Sequence, residues 1–242
     1  SNLTFSFDSK LLYGATTNSV TAWNVEDREV FSYFSTPGSV DRIHISPDGN
    51  TLFVALNKDN RIGVFEDIRN KPENGMHEMI KSPGSSHGDS IYNILTTEDE
   101  KYVITSSVDS TIRIINRDST LSHRNIVGNI KGISQDNNLL LIIDTQVNIK
   151  TYNFTTEKEE KLGTITDESV TSVLNRFVIS NDGNYIGISN IASTNAMVMS
   201  PKGEILYETE KHEAIDDFSI LEFMAISEED GILYTMGIKG EI

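Results

Sequence analysis

The chain of 242 residues contains no cysteine. That excludes disulfide staples, cysteine nucleophiles and thiolate metal sites. It has one tryptophan and only five prolines, and Gly and Pro stay mostly in the connections. Its longest apolar run, Leu139 to Ile143, is far short of a bilayer span. No basic segment followed by an apolar one opens the chain, so no secretory signal is visible. Ser1 in place of a methionine is expected of a processed, excised or engineered start.

Positive charge is also scarce. Twenty Lys and Arg face 36 Asp and Glu, a formal net charge of −16. The summed field repels phosphate backbones and anionic lipid, so direct nucleic-acid binding is not expected. The basic residues are scattered, and the densest run, Glu157 to Lys161, is mixed in sign. Acidity suits solubility first, and a basic partner second.

What the chain does contain is one pattern written repeatedly. A Ser/Thr-x-Asp-x turn stands at Ser6–Ser9, Ser46–Gly49, Thr97–Glu100, Ser134–Asn137 and Ser180–Gly183, with a stretched copy at Ser227–Gly231. The turn aspartates are 40, 51, 37, 46 and 48 residues apart. Such a period is that of four-stranded propeller blades, about 40–45 residues each, with loop insertions. Each turn places Asp where it can accept backbone N–H bonds two residues on, and Gly49, Gly183 and Gly231 can supply positive φ.

Apolar strands follow the turns at Leu11–Ala15, Leu52–Leu56, Tyr102–Thr105, Leu139–Ile143, Tyr185–Ile188 and Ile232–Met236. Continuous apolar runs suit strands covered on both faces. A second set spans Val20–Val25, Arg61–Glu66, Thr111–Asn116, Asn148–Asn153 and Asn195–Ser200. Its ends align a bulky column (Trp23, Phe65, Ile115, Tyr152, Met199) with a polar one (Asn24, Glu66, Asn116, Asn153, Ser200). No segment has a capped helical period, so the fold class is all-β. The reading is a single domain over 1–242, a β-propeller of four-stranded antiparallel blades with about six blades visible. The chain opens on an inner strand, Leu3–Phe7, and stops as the sixth repeat would begin its third strand. It is therefore expected to be a piece of a longer protein, with room for a seventh blade.

The strings Thr111-Ile112-Arg113-Ile114-Ile115-Asn116 and Ser46-Pro47-Asp48-Gly49 resemble the WD40 repeat family, whose third strand closes with Trp-Asp. The second repeat, Ile45 to Phe65, is equally similar to YVTN propeller repeats. The resemblance covers nearly the whole chain, but no intact Trp-Asp occurs. It implies a hydrogen-bonded set in the third repeat made of His87, Ser107 and Asp109, with Ile115 in the tryptophan position. His212 would play the corresponding part in the last repeat. A structural role is favoured over a ligand or catalytic one for both histidines.

Other strings match chemical motifs only in part. Gly84-Ser85-Ser86-His87-Gly88 matches a nucleophile elbow, which needs a strand-to-helix turn that nothing here provides. His77-Glu78 lacks the second histidine of a zinc helix. The triplets Asn2-Leu3-Thr4 and Asn153-Phe154-Thr155 matter for glycosylation only in a secreted protein. The sequence assigns no catalytic, cofactor-binding or metal-ligating residue. Contact with partners is expected at the 68–89 insertion, through Lys71, Pro72, Glu73 and Asn74, and at Asp216 and Asp217. That insertion is also expected to hold an outer strand at Met76–Lys81.

The resemblance implies a non-catalytic scaffold that presents loops and an acidic rim to a protein or peptide, basic in character, inside a larger assembly. An intracellular location, cytoplasmic or nuclear, fits that reading. The alternatives are a lactonase-like propeller enzyme and a surface or envelope sensor, secreted or held in an envelope.

Overall fold

The computed structural model describes residues 3–80, 86–117, 123–134, 139–144, 146, 148–154, 156–164, 176–180, 182–189, 196–208, 221–227 and 232–237. Among these every regular element is a strand, and no helix long and apolar enough to cross a membrane occurs. The chain divides into two compact units, Ser1–Val127 and Gly128–Ile242.

The first unit holds three antiparallel sheets. The first is β1 (Leu3–Phe5), β2 (Leu11–Ala15), β3 (Ser19–Asn24) and β4 (Val30–Ser35), in sequential order. The second is β5 (Val40–Ile45), β6 (Leu52–Leu56) and β7 (Arg61–Phe65). After the short β8 (Met76–His77), the third contains β9 (Ile91–Thr96), β10 (Tyr102–Ser107), β11 (Thr111–Asn116) and β12 (His123–Val127).

The second unit holds β13 (Asn129–Ser134), β14 (Leu139–Ile143), β15 (Asn148–Asn153) and β16 (Lys158–Thr164) in one sheet. Its next sheet is β17 (Arg176–Ile179), β18 (Ile186–Ser189), β19 (Ala196–Met199) and β20 (Ile205–Glu208). A pair, β21 (Leu221–Ser227) and β22 (Ile232–Gly237), follows. Within each unit the first strand of a sheet lies beside the first strand of the next: β1 by β5, β5 by β9, β13 by β17 and β17 by β21.

The continuous apolar runs have the environment their composition demands. All five residues of β6 are buried. Leu52, Val54 and Leu56 join Tyr13, Val20, Ala22 and Phe34 of the first sheet. Phe53 and Ala55 turn the other way, with Ile62 and Val64, to meet Ile91, Ile94, Val103 and Ile115 of the third. A strand covered on both faces has no place for alternation, which is why β6 reads as an unbroken apolar string. In the second unit Leu141 and Ile149 pack with Ile179, Ile186, Ile188 and Met199.

The bulky column is a core column: Phe65, Ile115, Tyr152 and Met199 are buried and Trp23 is half-buried. The polar column that follows it closes turns. The Asn24 side-chain oxygen accepts from the N–H of Glu26 at 2.9 Å, that of Asn153 from Thr156 at 2.8 Å, and the Ser200 hydroxyl from Lys202 at 3.2 Å.

The outer strand expected at Met76–Lys81 takes another course. Of its described residues, 76–80, only Met76–His77 is strand, pairing in parallel with Tyr33 and Phe34 on the edge of β4, and Lys81 lies outside the described residues. Three residues later the Ile80 N–H donates to the Val64 carbonyl of β7 at 2.9 Å. The segment thus crosses from the edge of the first sheet to that of the second, which has three strands. The cause is local. The His77 ring is buried in a parallel stack on Phe34, centroids 4.4 Å apart, and the Gly75 carbonyl accepts from Tyr33 N–H at 2.8 Å.

Candidate functional site

Four copies of the Ser/Thr-x-Asp turn fall among the described residues, and all four are built with the same bonds. In the first, the Ser6 hydroxyl donates to Asp8 at 2.7 Å, the carboxylate accepts from Lys10 N–H at 3.2 Å, and Leu11 N–H donates to the Ser6 hydroxyl at 2.9 Å. Ser46 with Asp48, Thr97 with Asp99, and Ser180 with Asp182 repeat the set. The fourth residue of each turn has positive φ: Ser9 at 57°, Gly49 at 72°, Glu100 at 56° and Gly183 at 70°. Ser and Glu thus occupy a left-handed position that Gly holds in the other two copies. Residues 135–138 and 228–231 of the remaining copies lie outside the described residues.

The third repeat carries the histidine network. His87 is buried, and its Nε2 meets the Thr105 hydroxyl at 2.8 Å. Its Nδ1 lies 3.3 Å from Asp109 Oδ2 and 3.0 Å from the Thr111 hydroxyl. A carboxylate only accepts, so Nδ1 carries the proton and Nε2 accepts from Thr105. The same Oδ2 accepts from Gly88 N–H at 2.6 Å, while Oδ1 takes the Thr111 N–H at 2.9 Å and hydroxyl at 2.6 Å.

Burial lowers the His87 pKa, with help from the Arg113 charge, and outweighs the opposing pull of Asp109. Burial pushes Asp109 up, but the Thr111 hydroxyl and the N–H groups of Gly88 and Thr111 bring it down to about 2. The result is a neutral imidazole bonded to an ionised carboxylate, an arrangement suited to holding a loop in place.

The structure therefore unites His87 with Asp109, but the hydroxyls on the imidazole are those of Thr105 and Thr111. Ser107 belongs to the turn itself: its hydroxyl donates to the Asp89 carbonyl at 2.8 Å and accepts from Asp109 N–H at 3.1 Å. The reason is strand alternation and a bulge. Thr105 and Ser107 share a face of β10, but β9 inserts Tyr92 opposite the Ser106–Ser107 step, which draws Ser107 toward Asp89. Ile115, in the tryptophan position, packs in the core between the second and third sheets. Gly84 and Ser85 of the elbow-like string lie outside the described residues, and His87 and Gly88 are spent on Asp109.

Lys71, Glu73 and Asn74 are exposed and Pro72 half-buried, in a turn closed by Gly75 N–H on the Pro72 carbonyl at 2.9 Å. Asn74 caps Met76 N–H at 3.0 Å, so this turn ends where β8 begins. Asp216, Asp217 and His212 lie outside the described residues. Asn153, of the second glycosylation triplet, uses its side chain to close a turn.

Two features have no signal in the sequence. The first strands β5, β9, β13 and β21 each carry one extra residue opposite the second strand: Asp41, Tyr92, Lys131 and Glu222. Bulges re-aim side chains and terminate regular pairing. Arg42 joins two of them, donating to the Asp41 carbonyl at 2.7 Å and the Tyr92 carbonyl at 2.9 Å. Lys131 lies over the Phe177 ring at 5.6 Å, and burial lowers its pKa. The second feature is a clamp. Glu100 accepts from Asp48 N–H at 2.9 Å and pairs with Arg117, which reaches Thr51 at 3.1 Å and covers Phe53. It ties the Ser/Thr-x-Asp turns of the second and third repeats together.

A cavity of about 270 Å³ opens beside the first turn, between the first and second sheets. Tyr13, Phe7 and Phe31 form its aromatic wall, with Asp8, Lys10 and Arg69 as its charged groups. The Tyr13 hydroxyl is pushed up to about 12, by burial and then by the Asp8 charge, against the pull of Arg69. Among the described residues no group of three or more His, Asp or Glu could hold a metal ion. No family model matches the chain, and neither does any curated protein.

Proposed function

We propose that the chain is a non-catalytic interaction scaffold of the WD40 type, a β-propeller that presents loops to a protein or peptide partner within a larger assembly. The observation that carries this reading is the repeat itself. Four turns share one set of hydrogen bonds, each leads from the first strand of a sheet to the second, and first strands adjoin one another from sheet to sheet. Sheets joined in this way spend their side chains on one another and leave turns and insertions facing solvent. The histidine network supports the same reading, since its members are satisfied by one another and by backbone.

The 71–74 turn is the partner surface this reading favours, because it stands on a strap joined to two sheet edges. Cross-linking mass spectrometry on the protein in the cells that express it tests the proposal. Cross-links from one recurrent protein to residues 71–74 are the expected result. A protein recovered without any stable protein partner overturns the scaffold reading.

A further inference from the structure

We propose that the cavity beside the first turn binds an acidic peptide segment in which a carboxylate side chain stands next to a large apolar one. This rests on the scaffold reading and gives the partner chemistry of one of its surfaces.

Charge is the first ground. In a chain of net charge −16, two cations, Lys10 and Arg69, line one cavity. Neither side chain makes a hydrogen bond or ion pair with another described residue. Asp8, the acidic group there, feels the charge of both cations, and its single negative charge leaves the lining one positive charge in excess. A guanidinium and an ammonium left open at one wall are a receptor for a carboxylate, with Arg69 able to take it in two-point fashion. The remaining negative charge of the protein does not cancel this. At physiological ionic strength screening sets in at about 8 Å, so the groups lining the cavity dominate what enters it.

Apolar surface is the second ground. Phe7 lines the cavity with 86% of its surface exposed, and Phe31 and Tyr13 continue the wall. A free anion would satisfy the cations and leave Phe7 in water, and an apolar chain would do the reverse. A carboxylate beside a large apolar side chain serves both.

Size makes the occupant a side chain of a peptide. At about 270 Å³ the cavity is below the range of roughly 300–1,000 Å³ usual for small-molecule pockets, so it suits an anchoring side chain better than a whole ligand.

The test is fluorescence anisotropy of the whole chain with a fluorescein-labelled eight-residue peptide of Glu, Phe and Ser. Versions with every Glu replaced by Gln or by Lys are compared with it. The acidic peptide is expected to bind, with the Gln version weaker by about tenfold through loss of the charged hydrogen bonds. Arg69→Glu is expected to weaken the acidic peptide by about tenfold or more, and Phe7→Ser several-fold, whereas Lys58→Glu, the same charge change on another exposed turn, leaves it within about twofold. Equal or tighter binding of the Lys peptide, or equal effects of Arg69→Glu and Lys58→Glu, overturns the proposal. Should Arg69→Glu fail to fold, Lys10→Gln with Phe7→Ser decides the matter in the same assay. Cross-links to residues 71–74 with no acidic-peptide binding sink this site and spare the scaffold. Peptide binding with no protein partner in cells does the reverse.

Discussion

Asp109 and Asp144 both stand between the second and third strands of their sheets, and hydrogen bonds bring both carboxyls down to about 2. In each, Oδ1 closes the turn, taking Thr111 N–H at 2.9 Å in one and Asn148 N–H at 2.9 Å in the other. The second oxygen separates them. Asp109 Oδ2 reaches back to Gly88 N–H and His87, more than twenty residues upstream, whereas Asp144 Oδ2 reaches forward to Asn148 and to Lys150 at 2.9 Å. One turn is thus a fastening between a long connection and its sheet, and the other is self-contained. The lesson is that the aspartate is required by the turn, while the histidine is an addition made where a loop must be held.

The largest expected effect tests that distinction directly. Asp109→Ala removes the acceptor of the Gly88 amide, both bonds of Oδ1 to Thr111, and one of the two partners of the buried imidazole Nδ1, leaving it the Thr111 hydroxyl at 3.0 Å, and should cost about 2–3 kcal/mol. Asp144→Ala should cost less, about 1–2 kcal/mol, because Lys150 keeps Glu159 within 3.6 Å. Chemical denaturation read by hydrogen exchange reports each unit separately. Faster exchange should extend to Gly88 in the first variant and stay within 144–150 in the second. Equal costs with Gly88 still protected would erase the comparison.

Acidification sharpens it further. Burial holds His44 down at about 4, and His77 and His87 are also lowered, chiefly by burial. A histidine depressed on folding takes up its proton more readily in the unfolded chain. The stability it gives is therefore complete above about 6.5 and is lost as pH falls toward 4, by up to about 3 kcal/mol from His44 alone. Among its described residues the second unit has no histidine. Its Asp144 turn is instead held by a depressed carboxylate, whose contribution persists above 3.8 and is lost as pH falls toward about 2. Between pH 6.5 and 4, exchange should quicken in the first unit and not around 144–150. Parallel acid loss in both units would break the contrast.

A smaller effect separates the hydroxyls of Thr105 and Ser107. Thr105→Val removes the donor to a buried imidazole nitrogen and should cost about 1–2 kcal/mol. Ser107→Ala, at a residue as buried as Thr105, removes bonds to the backbone of the exposed Asp89 and the half-buried Asp109 and should cost about 0.5–1 kcal/mol. Thermal or urea denaturation of the two variants checks the order, and its reversal would return Ser107 to the imidazole.

These residues also show how much the sequence revealed. The Ser/Thr-x-Asp turns were legible because their chemistry is local: a hydroxyl, a carboxylate and two N–H groups within six residues. The strands β2, β6, β11, β14 and β15 were legible to the residue, since apolar runs bounded by turns leave little freedom in their limits. Thr105 was missed because its role depends on the Tyr92 bulge, and bulges leave no mark in composition or period. The Met76–Lys81 strand was misplaced because the rings of Phe34 and His77, far apart in sequence, decide which edge that segment meets. The Arg117–Glu100 clamp and the cavity beside Phe7 are likewise assembled from separate repeats. Periodicity describes each repeat and is silent on what two repeats build between them.

The smallest effect concerns the forward reach of Asp144. The Lys150 side chain is 24% exposed, and its ion pair competes with water and with Glu159. Lys150→Met leaves Gln146 and Asn148 bonded to the carboxylate at 2.9 Å, so the turn keeps its closure. The cost should be about 0.5–1 kcal/mol and should shrink in 1 M salt, where the Debye length is about 3 Å. A double-mutant comparison with Asp144→Ala isolates the pair from the turn. If Lys150→Met alone costs as much as Asp144→Ala, this turn depends on its outward oxygen just as the Asp109 turn does, and the two would differ only in which cation-bearing or imidazole side chain answers the same need.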